Sequence, residues 1–112
     1  MRSGASYRSR TFNRHRFDLR VKLMLCSNGR RQVVHGRTRD LSFSGIGLTL
    51  AGSVEYGTPC LLLLKFPKVD LEVQLPAVVT HRSGSRYGLQ FQQLSGEQKL
   101  LIQKICKALP TA

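Results

Sequence analysis

From Asp18 onward the chain alternates: Leu19, Val21, Leu23 and Leu25 fall between Arg20, Lys22, Met24 and Cys26. A two-residue period of this kind predicts a strand with one face buried. "SNGRR" supplies the turn that follows. A second strand is predicted across "QVVHGRTRDLS" and a third across "GIGLTL", where Ile46, Leu48 and Leu50 share a face. "TPCLLLLKF" is apolar at nearly every position and reads as a strand buried on both faces. "VDLEVQLPAVVTH" sets Val69, Leu71, Val73, Leu75, Ala77 and Val79 against mostly polar neighbours, with Pro76 marking a bulge or a sheet edge. After the turn "RSGS", "RYGLQF" puts Tyr87, Leu89 and Phe91 on one side.

Six short strands at this spacing predict a mainly β fold, a closed or nearly closed six-stranded antiparallel barrel. The period changes near the end of the chain. In "LSGEQKLLIQKICKAL", Ser95 stands three residues before Gln98, the spacing of a capping box, and Leu101, Ile105 and Ala108 recur at helical intervals. One C-terminal α-helix is expected, lying across an open end of the barrel. Residues 1–12, "MRSGASYRSRTF", show no apolar period and are expected to form a flexible basic arm. That leaves one barrel-and-helix domain over residues 13–109 and a short tail at 110–112. With 112 residues of which 41% are hydrophobic, the chain can bury one modest core and has no room for a second domain.

Eighteen Lys and Arg against six Asp and Glu give a formal charge of +12, which favours an anionic partner without saying which. No apolar run approaches the roughly 18 residues of a membrane span, and the polar, arginine-rich start lacks a signal-peptide core; a cytoplasmic protein is expected. Cys26, Cys60 and Cys106 are odd in number, far apart and set in apolar surroundings, so buried reduced thiols are favoured over a disulfide framework. His15, His35, His81 and the cysteines show no C-x-x-C or H-x-x-x-H spacing, which argues against a metal. Ser42 has Asp40 nearby but no histidine fixed by sequence, so neither catalysis nor a cofactor is expected.

Two short stretches carry the chemistry. "RHRFDLR" places Arg16 and Arg20 four apart, behind Arg14 and His15, where the arm meets the first strand. A guanidinium is a planar fork that grips a phosphate or the O6 and N7 acceptors of guanine and also stacks on flat rings, so two of them suit a ligand with both phosphates and guanines. "RDLSFSG" places Asp40, Ser42 and Gly45 between the second and third strands. The Asp40 carboxylate can accept from the N1 and N2 donors of a guanine or orient a guanidinium; Ser42 adds a hydroxyl; Gly45 permits a positive φ and close backbone approach. Arg37 and Arg39, which lead into this stretch, read as solvated contributors to local positive potential.

Together "RFDLR" and "DLSFSG" resemble the RxxxR and (D/N)xSxxG signatures of PilZ domains, the bacterial receptors for the second messenger cyclic di-GMP. "AVVTHR", "YGLQF" and "LSGEQ" are similar to that family's fifth strand, sixth strand and helix entry, and the likeness spans about residues 13–108. The resemblance implies a non-enzymatic cyclic di-GMP receptor. Arg16 and Arg20 would hold phosphates and guanine faces, Asp40, Ser42 and Gly45 would meet a guanine edge, Arg14 and His15 would add contacts, and His81 would stack on a base. Ligand binding would rearrange the arm and alter contacts with a downstream protein or fused domain.

A nucleic-acid-binding small barrel is the alternative that the charge allows; it predicts strongly salt-dependent binding. Only 7% of residues are aromatic and none is tryptophan, although Phe12, Phe17, Phe43 and Tyr87 stand available as stacking surfaces. PilZ domains also occur as modules of larger proteins such as glycan synthase subunits, whereas Met1 and the short flanks favour a stand-alone chain.

Overall fold

The computed structural model describes residues 14–27, 29–65 and 72–109. The arm at 1–12, the tail at 110–112, Val69 and Leu71 therefore lie outside the described residues. Seven strands and one helix follow in order: β1 (His15–Arg16), β2 (Arg20–Ser27), β3 (Arg30–Leu41), β4 (Gly45–Leu50), β5 (Pro59–Leu64), β6 (Val73–Ser83), β7 (Arg86–Phe91) and α1 (Gly96–Ala108). All pairings are antiparallel. The sheet runs β3-β2-β5-β6-β7-β4 and closes where β4 pairs back onto β3, giving a six-stranded barrel. β1 is a seventh, short strand that pairs with the end of β3 that β2 does not reach.

Closure follows from the alternation. Val21, Leu23 and Leu25 of β2, Leu62 and Leu64 of β5, Leu75, Ala77 and Val79 of β6, and Ile46, Leu48 and Leu50 of β4 all turn inward to one core. Gly29, in the β2–β3 turn, takes φ 76°, a left-handed conformation that a side chain disfavours.

The structure corrects four of the readings. Pro76 is neither at an edge nor at a bulge: it pairs with Leu61 inside the sheet. Its carbonyl accepts from the Gln92 backbone N–H at 2.8 Å, just past the end of β7. Because a residue's N–H and C=O point the same way in an antiparallel ladder, its missing donor faces that strand end and interrupts no bond to β5. Cys26 is exposed, since it shares the outer face of β2 with Lys22 and Met24; Cys60 and Cys106 are buried and free. Burial pushes both of those thiols up to about 11.

The helix starts as expected. Ser95 accepts from Gln98 N–H at 3.1 Å and its own N–H donates to Gln98 Oε1 at 2.7 Å. Its buried stripe, however, is centred one residue on, at Ile102 and Cys106, with Leu101 and Ile105 flanking. Gln98 Nε2 donates to the Gln74 carbonyl at 2.8 Å, fixing α1 against the start of β6.

Gly45 is the fourth correction. It is not among the glycines of positive φ, which among the described residues are Gly29, Gly57 and Gly84. A Cβ at Gly45 would lie 2.3 Å from the Leu89 carbonyl oxygen, so close packing of β4 on β7, not backbone conformation, requires glycine there.

Candidate functional site

Along β3, Thr38 and Leu41 are both buried, three residues apart, where strict alternation would bury Thr38 and Asp40. An extra residue accounts for the phase change: the β3–β4 register shifts between Thr38 and Asp40. A bulge of this kind re-aims the side chains beside it. Arg39 and Asp40 are thereby left outside the core, both half-buried.

The same place is disrupted on the β1–β2 side, where Phe17, Asp18 and Leu19 separate the two short ladders. Thr38 repairs the gap: its hydroxyl accepts from the Leu19 N–H at 2.8 Å and donates to the Phe17 carbonyl at 2.9 Å. Together with the Phe17 N–H, which donates to the Arg39 carbonyl at 3.3 Å, and the Thr38 N–H, which donates to the Leu19 carbonyl at 2.8 Å, this buried hydroxyl ties β1 to β3, where Arg16 stands directly opposite Asp40.

From Asp40 a row of outward-facing residues crosses four strands. Asp40 pairs with Gly47, Gly47 with Gly88, and Gly88 with His81. A Cβ on Gly47 would lie 2.6 Å from Asp40 Oδ1, and one on Gly88 would lie 3.2 Å from His81 Cβ. The two glycines form the floor of a trough walled by a carboxylate on one side and an imidazole on the other. A second bulge, between Val79 and His81 of β6, sits at the far wall. Arg39 and Arg86 line this cleft of about 320 Å³. A neighbouring cleft of about 350 Å³, reaching Ser44 and Gly45, shares Arg14, His81 and Gly88 with it.

Asp40 is engaged by Arg14, whose Nε donates to Oδ1 at 3.0 Å while Nη2 donates to the same oxygen. The pair bridges the arm-proximal strand to the trough. Arg14 remains half exposed at 49% whereas Asp40 is 18% exposed, so the carboxylate is the built-in partner and the guanidinium the accessible one.

The other candidates are placed as follows. Arg16 is exposed beside Asp40 and lines a cleft with Arg37 and Arg39, so Arg39 connects that cleft to the trough. His15 pairs with the fully buried Leu41 and so takes the face opposite to that of Arg14 and Arg16; its buried Nδ1 has no hydrogen-bond partner among the described residues. Arg20 stands opposite Arg37, in an adjoining cleft with Lys22, His35, Lys65 and Glu72 and outside the trough. Arg37 itself is tied to Asp18 at 2.7 Å, a hydrogen bond that raises its pKa.

Ser42 is 1% exposed. Its hydroxyl accepts from the Gly45 N–H at 3.2 Å, and its own N–H donates to the Gly45 carbonyl at 2.9 Å. It closes the β3–β4 turn and thereby positions Asp40 and Gly45 from behind.

The trough contains residues that sequence reasoning missed. Arg39 was expected to be solvated, but the bulge turns it to the cleft; Arg86, Gly47 and Gly88 were not singled out. The glycines had a signal, since each interrupts an outward position between buried neighbours: Ile46 and Leu48, and Tyr87 and Leu89.

The PilZ domain family model matches residues 8–108. The chain belongs to the PilZ family. Among solved structures, this PilZ domain is similar to that of CeSA from a cellulose-synthesizing bacterium, at 18% identity and TM-score 0.66 over 85% of this chain and 95% of the other. It is similar also to the PilZ domain of YcgR from Escherichia coli, solved with c-di-GMP, at 16% identity and TM-score 0.71 over 91% and 92% of the two chains. A third likeness is to the Bacillus subtilis inhibitor of motility MotI/DgrA, at 16% identity and TM-score 0.69; it covers 93% of this chain and 51% of that one. No curated protein matches the chain significantly in sequence. Identities this low establish the shared fold. No helix among the described residues is long and apolar enough to cross a membrane.

Proposed function

We propose that this PilZ domain is a non-enzymatic receptor for cyclic di-GMP in the bacterial cytoplasm, with a guanine seated in the Asp40 trough. One observation carries the reading: a carboxylate faces an imidazole across two side-chain-free positions, with three arginines, Arg14, Arg39 and Arg86, lining the cleft and Arg16 opposite Asp40 in the adjoining one. A flat base fits over a glycine floor, Asp40 accepts from its N1 and N2 donors, and His81 meets its ring. The arginines neutralise the two phosphates and hold acceptor edges. The E. coli YcgR PilZ domain solved with c-di-GMP supports the assignment.

In this account Ser42 and Gly45 shape the turn that presents Asp40, while Arg20 and His15 flank the site from the first strands. Arg14 is the residue that moves. It occupies Asp40 before ligand arrives, and guanine takes its place on the carboxylate, freeing the arm to pair with phosphate. The ligand acts through its different affinity for the two arm positions, and the surface offered to a downstream protein changes with them.

Calorimetric titration with cyclic di-GMP tests the assignment in the intact chain and in Arg16→Ala, Arg20→Ala and Asp40→Ala. A micromolar constant, about 8 kcal/mol of binding free energy, is expected for the parent. Loss of one guanine contact is expected to weaken binding by about 1–3 kcal/mol. Undiminished binding in all three variants would remove the site.

A further inference from the structure

Where β7 runs into α1 there is a further cleft, of about 330 Å³, that the trough does not use. Its volume is at the small end of the range for clefts that hold a ligand, about 300–1,000 Å³. The apolar wall joins Phe43 of the β3–β4 turn, Phe91 at the end of β7, Leu94, and Ile102 of α1. Ile102 is buried, Phe91 and Leu94 are half-buried, and Phe43 is 42% exposed. Gln90, Gln93 and Gln103 supply amides to the rim, and Lys99 is its one charge.

The walls are held in place. The Phe91 N–H donates to the Ser44 carbonyl at 2.9 Å, which joins the β3–β4 turn to β7. Gln93 takes φ 49°, the one positive φ at a residue other than glycine among the described residues. A left-handed conformation at such a residue persists where its surroundings impose it. Here it turns the chain between Phe91 and Leu94, before the Ser95 cap starts α1.

The first described residues lead to this cleft. β1 pairs Arg16 with Asp40 and His15 with Leu41. Continued toward the N-terminus, the same antiparallel register brings Arg14 to Ser42, Asn13 to Phe43 and Phe12 to Ser44. Strand alternation puts Phe12 on the face of Arg14 and Arg16. Ser44 and Gln90 line both this cleft and the one that Arg14 borders, so the two are continuous. Two residues of chain span at most about 7 Å, which bounds the distance from Arg14 to Phe12. Thr11, Phe12 and Asn13 are uncharged, matching a rim of amides with one cation, and the next arginine upstream is Arg10. A ring tethered two residues from an anchored arginine has a high effective concentration, which favours it over the same ring of a second copy.

We propose that this cleft is an intramolecular docking site for Phe12, whose ring packs among Phe43, Phe91, Leu94 and Ile102. The arm is then held at two points, by Arg14 on Asp40 and by Phe12 against α1. The proposal concerns the ligand-free chain and does not depend on the ligand assigned to the trough.

The test uses the full chain, isotopically labelled and without nucleotide. Nuclear Overhauser cross-peaks are expected between the Phe12 ring and the methyl groups of Leu94 and Ile102. Phe12→Ala is expected to abolish them and to shift the resonances of Leu94, Ile102 and Phe91, with the amides of the distant β2–β3 turn unmoved. Gln103→Trp, at an exposed position on the rim, is expected to fill the cleft and abolish the same cross-peaks while Phe12 is still present. Any of four results overturns the proposal: no cross-peaks from Phe12 to these methyl groups, cross-peaks from Tyr7 in their place, Phe12 cross-peaks to His81 and Gly88 instead, or unshifted cleft resonances in Phe12→Ala. Cross-peaks that run between labelled and unlabelled chains in a mixed sample overturn it in favour of a second copy.

Discussion

Replacing Gly47 by alanine separates the trough from the barrel that carries it. The added Cβ would lie 2.6 Å from Asp40 Oδ1 and 3.1 Å from both Cγ and Oδ2, distances at which one group must give way. The group that moves is the end of a side chain, so the carboxylate swings off the trough floor while the strands stay. Gly47 has no positive φ to lose. Glycine to alanine at a compatible position stabilises by about 0.4–1 kcal/mol through the unfolded chain. Against this stands the Arg14–Asp40 pair, half exposed on the arginine side and worth about 0.2–1 kcal/mol. The two contributions nearly cancel, and the folding free energy is expected to change by less than about 1 kcal/mol. Binding is another matter: displacing Asp40 forfeits its guanine contacts, about 1–3 kcal/mol, or roughly 5- to 150-fold in affinity. Chemical denaturation and calorimetry on the same sample read both quantities. A folded Gly47→Ala variant that binds cyclic di-GMP as well as the parent would refute the trough as the guanine site.

Gly45→Ala is expected to behave in the opposite way, because its Cβ meets backbone, the Leu89 carbonyl at 2.3 Å; separating β4 from β7 should cost on the order of 1–3 kcal/mol in a denaturant melt. Thr38→Val leaves the Leu19 N–H and Phe17 carbonyl without the hydroxyl that joins them, so stability should fall by about 1–3 kcal/mol, with faster hydrogen exchange at Leu19. Arg14→Ala removes the group that occupies Asp40 and later pairs with phosphate; stopped-flow measurements should show cyclic di-GMP associating and dissociating faster, and unchanged rates would contradict the exchange. A thiol reagent should modify exposed Cys26 quickly, and Cys60 and Cys106 only on unfolding. Burial raises those two thiols from 9.0 to about 11, so the unfolded chain loses its thiol protons first; stability present below pH 9 should decline as the pH rises toward 11.

Much of the barrel was legible because a period of two is a local property: the strands at "GIGLTL" and "RYGLQF" were placed at their observed bounds. The capping box at Ser95 was equally local. The helix stripe slipped by one position because Leu101 and Ile102 are both apolar, and the choice between them belongs to the barrel end they pack on. Cys26 was misread as buried although its own alternation with Leu23 and Leu25 turns it outward.

The two motifs were visible in sequence, but how their parts combine was not. That Arg39 faces the cleft depends on a bulge, which changes the phase of a strand without altering its composition. The glycine floor depends on register, since Gly47 and Gly88 stand 41 positions apart in the chain and become neighbours only when β4 pairs with β7. Of the aromatic side chains on which a nucleic-acid-binding barrel would stack bases, Phe17 and Tyr87 are buried at 8% and 2% exposure, Phe43 is exposed at 42%, and Phe12 lies outside the described residues.

Chemical-shift mapping during a titration with cyclic di-GMP addresses the trough most directly. The account predicts saturable shifts at the amides of Gly47, Gly88 and His81 and at the arginines bordering them, with Met24 and Val33 unmoved. Shifts centred on the β2–β5 outer face, with the Asp40 row silent, would contradict it.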